Sequence, residues 1–395
     1  MNDYEFDSAL MLSGRYFDKI VILLDEVARP IHYPAPPELH QSLTQMVKGI
    51  FGDTGDLLLF SEPGINYTIV DLVEKRLIDI RIGLNRYDFQ PPAGPERIFL
   101  VGLPSAESDQ ALIHCIIAHE FGHKVWDESD VLIRLQLSAS VKPFMYLDKE
   151  EEQVAAVEVA TEWLLELASD LFGLYIFGPA YVCAAIHYAT AVTALDEASK
   201  SHPPTRVRLH LLFGLMDEMY TKSMNEQGGR EFAYGPNMSQ LFDMWRPAVD
   251  ASRLGIAQMS SNVDERYART AFAAIRNPDR VKELRSMARG LAQERYGAYY
   301  KQENYVRDMG LVRSIRNFIP PVQFLNEGKS ELTSVPGILN ACWEYYLGGL
   351  EQFGSVLPAT ISSDRFALSA IFNEFVLKTL ELSGLAGQWR EANGS

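Results

Sequence analysis

His119, Glu120 and His123 stand in the order His-Glu-Phe-Gly-His inside an apolar run, IIAHEFGHKVW, residues 116–126. In a helix, four residues advance the chain by about 400°, so the two imidazoles lie one above the other on a single face. They can then offer two nitrogens to one metal ion. Glu120 sits one position round, where its carboxylate reaches a water on the ion more easily than the ion itself. This division suits a zinc hydrolase. Two neutral nitrogens bind, while the carboxylate takes a proton from water whose pKa the zinc lowers to about 7. An apolar helix does not bury two histidines and a glutamate without compensation, which favours a metal site over chance placement.

A tetrahedral catalytic site needs a third protein ligand and an open position. EWLLELASDLFG, residues 162–173, offers Glu166 and Asp170 four apart on one helix face. Glu166 can complete the ligand set, and Asp170 can accept a hydrogen bond from the far nitrogen of a ligating histidine. Glu158 and Glu162 continue the same four-residue stripe and compete for the role, since a solvated acidic face has the same spacing. Helix context favours Glu166, which is embedded among Leu164, Leu165, Leu167, Ala168 and Leu171, where an uncompensated carboxylate would be costly. His114 lies about 500° from His119 and is read as structural. Cys115 reads as a buried thiol.

Two helices must position these groups. AESDQALIHCIIAHEFGHKVW, residues 106–126, is expected as one helix, with Ser105 as its N-cap. A second runs from about Lys149 to Phe177 and opens on Glu150, Glu151 and Glu152, which favour the positive end of its dipole. Upstream, residues 9–28 and 37–52 have helical apolar spacing. DLLLFSEP, NYTIVDL, KRLIDIRIGL and ERIFLVGLP then read as strands of a small sheet. The last is expected to offer an edge for pairing with an extended peptide. From residue 240 the pattern is helical to the end, broken at prolines. Leu171–Leu195 carries no Asp, Glu, Lys or Arg, but its Gly178-Pro179 break and His187 favour a buried helix pair over a membrane span.

Composition narrows the classes further. The 395 residues carry 36 Lys and Arg against 52 Asp and Glu, a net charge of −16, which argues against a general nucleic-acid binder. That deficit falls wholly before residue 226; from there on, 19 basic residues balance 19 acidic ones. The turn-rich stretch NEQGGREFAYGPNMS, residues 225–239, marks the expected boundary between a 1–225 catalytic part and a 226–395 helical part. Between Arg266 and Arg316, twelve Lys or Arg meet five Asp or Glu, a basic surplus suited to docking on an acidic neighbour. Three widely spaced cysteines form no CxxC pair, and the acidic N-terminus shows no secretory signal, so a cytoplasmic protein is expected.

HEFGH, then ELASD, then SHPPTRVR at residues 201–208 resemble the HExxH, ExxxD and His-Pro-rich Arg series of gluzincin metallopeptidases. The resemblance is closest to the HtpX and CAAX-prenyl-protease group and their soluble relatives, and covers roughly residues 100–215. It implies zinc ligands His119, His123 and Glu166, general base Glu120, and Asp170 behind the ligands. It also implies that His202 lies near the site and stabilises an oxyanion; a histidine before two prolines also reads as an exposed loop residue. Ser169 stands where the family usually has alanine.

The expectation is an α+β chain: a zincin-like catalytic domain with a small sheet and the HExxH helix, followed by a mostly helical domain that gates or recruits. Its expected function is zinc-dependent cleavage of protein or peptide substrates. The rivals are a regulatory binding protein with structural zinc and a zinc hydrolase of non-peptide amides.

Overall fold

The computed structural model describes residues 21–393 except 23, 27, 53–54, 64–65, 73–96, 106, 108, 129, 145–146, 192–194, 225–229, 233, 257, 260–264, 296–299, 327–328, 356, 359 and 361–362. They are mostly helical, with one small mixed sheet. Contacts divide the chain into two compact units, Met1–Asp109 and Gln110–Ser395.

In the first unit, helix α1 (Pro37–Phe51) buries Leu39, Leu43, Met46, Val47 and Ile50, one apolar stripe at helical spacing. Gly52, at φ 81°, ends it in a conformation that side chains resist. The sheet holds β1 (Gly55–Glu62), β2 (Thr68–Asp71) and β3 (Arg97–Pro104) in the order β1-β3-β2. β1 runs parallel to β3, with Gly55 opposite Arg97 and Glu62 opposite Pro104, while β2 is antiparallel to it. The strand expected as a peptide-pairing edge is therefore the middle one. Both its ladders are occupied, and its continuous apolar run fits burial on two faces better than an exposed edge. KRLIDIRIGL lies outside the described residues.

Ser105 is not a helix cap. Its N–H donates to Glu62 O at 2.8 Å, next to the register that pairs Glu62 with Pro104, and Glu107 N turns back to Pro104 O. The helix expected from residue 106 starts only at Ala111, with a 3-10 turn at Ala111–Ile116 leading into α2 (Ile117–Glu128). After α3 (Asp130–Val141) comes α4 (Glu150–Phe177), which begins on its three glutamates as expected. From Trp163 to Phe177 every α4 residue is buried, because helices pack around its whole circumference.

Gly178, at φ 61°, turns the chain into α5 (Pro179–Ala191), so the charge-free segment is a buried helix pair. Among the described residues, no helix is long and apolar enough to cross a membrane. Then follow α6 (Thr205–Tyr220), α7 (Pro236–Trp245), α8 (Glu265–Ile275), α9 (Pro278–Arg295), α10 (Gln302–Asp308), α11 (Val335–Leu347) and α12 (Arg365–Asn393). The region after residue 240 is not purely helical, since Gln323–Asn326 and Lys329–Leu332 pair as a hairpin. α2, α5, α6, α8, α9 and α11 all touch α4. The boundary expected near residue 225 thus lies inside this unit. Cys115, Cys183 and Cys342 are free and buried.

Candidate metal centre

α2 and α4 cross closely enough to bring their side chains to one point, and Gly122 permits the approach. A Cβ there would stand 3.0 Å from Ser169 Cα on α4. His119 and His123 flank this contact on the face turned to α4, and Glu166 projects from α4 toward them. His119 Nε2 and His123 Nε2 lie 3.0 Å apart. Glu166 Oε2 is 3.3 Å from the first nitrogen and Glu166 Oε1 is 3.2 Å from the second. The three residues are close enough to hold a metal ion. Ligand atoms about 2.0–2.2 Å from a tetrahedral zinc are spaced by about 3.3 Å; the two nitrogens stand close to that edge, and each has a different oxygen of the one carboxylate at a similar distance.

The chemistry of the donors points the same way. His119 Nδ1 lies 3.0 Å from Asp170 Oδ1, an acceptor in its ionised form, which leaves Nε2 bare in the neutral ring. Ser169 Oγ stands 3.3 Å from His123 Nδ1, so the serine braces the second histidine. Glu166 Oε2 is buried and, among the described residues, has no hydrogen-bond partner, although Arg208 Nη1 stands 3.7 Å away. Nitrogen and oxygen lone pairs thus converge on a space that a cation would satisfy.

Charges tune this cluster strongly. Burial opposes a proton on His119, but the carboxylates of Asp170 and Glu166 overcome it and hold the imidazole up at about 10. Burial would raise Glu166 too, yet His119, His123 and Arg208 keep its carboxyl far below the usual range. Asp170, also desolvated, is held down first by Arg208 and then by His119. The two carboxylates thus stay ionised, and a proton rests on His119.

Glu120 is half-buried on α2 beside His119 and outside the metal-holding group. His202 reaches the site from the loop before α6: its Nε2 lies 3.6 Å from Glu166 Oε1, and its side chain is 57% exposed. Ser201 Oγ, at 2.8 Å, and Ser199 Oγ, at 3.3 Å, face its Nδ1. Trp163 Nε1 donates to Ser199 O at 3.0 Å, tying the loop to α4. Arg206 pairs with Asp196 and donates to Ala248 O, which fixes the start of α6. Burial lowers the His202 pKa; Glu166 opposes this, while Arg208, His119 and His123 add to it. His114 is buried and outside the group. Glu162, the rival ligand, is likewise outside it.

Two functional residues lay beyond sequence reasoning. Arg208 donates Nε to Asp170 Oδ2 at 2.7 Å and Nη2 to Oδ1 at 2.8 Å. Its signal was present as the last arginine of SHPPTRVR, though residue type alone did not pair it with Asp170. Tyr181 donates to Asp170 Oδ1 at 2.8 Å from α5 and had no signal beyond a polar tip in a charge-free segment. No protein-family model, curated protein or solved structure matches the chain.

Proposed function

We propose that the chain is a zinc-dependent endopeptidase with a zincin-like centre, in which His119, His123 and Glu166 hold the ion. One observation carries the reading: two imidazole nitrogens 3.0 Å apart, each within 3.3 Å of an oxygen of the Glu166 carboxylate, with Glu120 left over beside them. A purely structural site would need no spare carboxylate. The partial exposure of His123 and His202 also gives the centre a solvent-facing side.

Zinc bound there supplies Lewis acidity and a water that ionises near neutral pH. Glu120 takes the proton released as water attacks the peptide carbonyl, holds it on its carboxylate, and passes it to the leaving amine. Asp170 keeps the Nδ1 proton of His119 turned away from the ligand side. His202, with serine hydroxyls at Nδ1, directs an Nε2–H toward the developing oxyanion.

Glu120→Gln preserves shape and removes the base. It is expected to keep zinc at wild-type stoichiometry and lose at least about 100-fold in peptide hydrolysis. Metal content and cleavage of a peptide library, measured together on both proteins, test this. Undiminished turnover in the variant would falsify the assignment of Glu120. Zinc binding by a wild type that cleaves no peptide would instead favour a structural or regulatory metal.

A further inference from the structure

We propose that Tyr181 is a positioning residue of the metal centre, acting through Asp170 on His119; this rests on the reading of His119, His123 and Glu166 as metal ligands. Asp170 Oδ1 receives three donors: His119 Nδ1 at 3.0 Å, Arg208 Nη2 at 2.8 Å and the Tyr181 hydroxyl at 2.8 Å. The tyrosine approaches from a third helix, so α4, α5 and α6 together fix the oxygen that orients the α2 histidine. The Arg208 fork on Oδ1 and Oδ2 stops the carboxylate from rotating about its own axis but leaves it free to swing together with the arginine side chain. The third donor closes that freedom.

The fold makes specific room for this contact. α4 carries Gly173 three residues beyond Asp170, and a Cβ there would run into the Tyr181 ring. Gly178 turns the chain back at φ 61°, and Pro179 opens α5, which places Tyr181 over Gly173 within four residues of the end of α4. The corner is pinned from outside. Asn340 of α11 accepts from Ala180 N at 2.8 Å and donates to Phe177 O at 2.7 Å. Phenylalanine would fill the same space, so packing alone does not require the hydroxyl. A buried hydroxyl is costly unless paired, and here the partner is the carboxylate behind a metal ligand. At 1% exposure, Tyr181 cannot reach a substrate, which sets it apart from a catalytic residue.

The experiment compares full-length wild type, Tyr181→Phe and Gly173→Ala. It reads zinc affinity by chelator competition, the visible spectrum of the cobalt(II) form, and metal-free thermal unfolding. Tyr181→Phe is expected to fold, to bind zinc about tenfold more weakly, the lower range for groups behind ligating histidines, and to shift the cobalt bands. Gly173→Ala keeps the phenol but displaces its ring, and should shift the bands in the same direction. A folded Tyr181→Phe with wild-type affinity and spectrum overturns the proposal while leaving the metal site intact. If Tyr181→Phe does not fold, the hydroxyl serves the fold rather than the centre, and the proposal again falls. A wild type that takes up neither zinc nor cobalt removes the underlying reading itself.

Discussion

Glu166 and Glu162 occupy successive turns of one helix, yet the metal-holding group among the described residues contains Glu166 and not Glu162. Glu166→Ala should therefore cost more than about 100-fold in zinc affinity, beyond the usual effect of a residue behind the ligands, while Glu162→Ala leaves zinc bound. Metal analysis of both variants decides it, and loss of zinc from the Glu162 variant alone would reassign the ligand. Much of this centre was legible in the sequence, because its strongest constraints are local. His119 with His123, and Glu166 with Asp170, are each pairs four residues apart on one helix, and periodicity alone puts each pair on one face. Arg208 and Tyr181 reach Asp170 from separate helices, and no spacing rule links residues 38 or 11 positions away across intervening turns. The role of Ser169 was hidden for the same reason, since its partner is on α2.

Elements carry a different constraint, the distance between helix axes. Gly122 lies in the variable centre of the histidine motif, where helical spacing gives it no role, but its missing Cβ lets α4 come within contact of α2. Gly122→Val should wedge the helices apart and separate His119 and His123 from Glu166 without touching a ligand. Zinc affinity is expected to fall by more than about tenfold, with Gly122→Ala intermediate, since a single Cβ needs a shift of only a few tenths of an ångström. Titration with a zinc indicator checks this, and unchanged affinity in the valine variant would show that the crossing is not what sets the spacing of these groups. Long apolar α4 was readable from composition. The true start of α2 was not: Ser105 has the right chemistry for a cap, but a backbone bond to Glu62 commits it to the sheet turn instead. The same kind of competition misplaced β3, because a run of buried residues does not say how many neighbours a strand has.

At the scale of the whole molecule, the basic stretch after Arg266 docks on the preceding helices through more than its charge. α8 and α9 pack on α4, Arg266 approaches Glu152 at 3.9 Å, and Arg285 pairs with Glu218 at 2.8 Å. Beyond these exposed pairs, worth about 0–1 kcal/mol each, the contacts are buried: Tyr300 N donates to Tyr175 O, and Trp343 Nε1 to Leu112 O. Cutting after residue 225 would strip α4 and α5 of these partners, so the fragment is expected to aggregate or unfold rather than to cleave more freely. Circular dichroism and gel filtration of the fragment test this; a folded, zinc-loaded fragment would show that the first 225 residues form an autonomous domain. The buried cysteines turn this shared core into a chemical clock. Burial pushes the thiols of Cys115, Cys183 and Cys342 up and shuts out alkylating reagents, so each reacts only when the chain opens around it. An ion that binds only the closed form slows labelling in proportion to its occupancy. Cys115, on the turn into α2, should therefore be protected by buffered zinc, and its alkylation rate, followed by mass spectrometry, becomes a measure of metal affinity from a residue that never touches the metal.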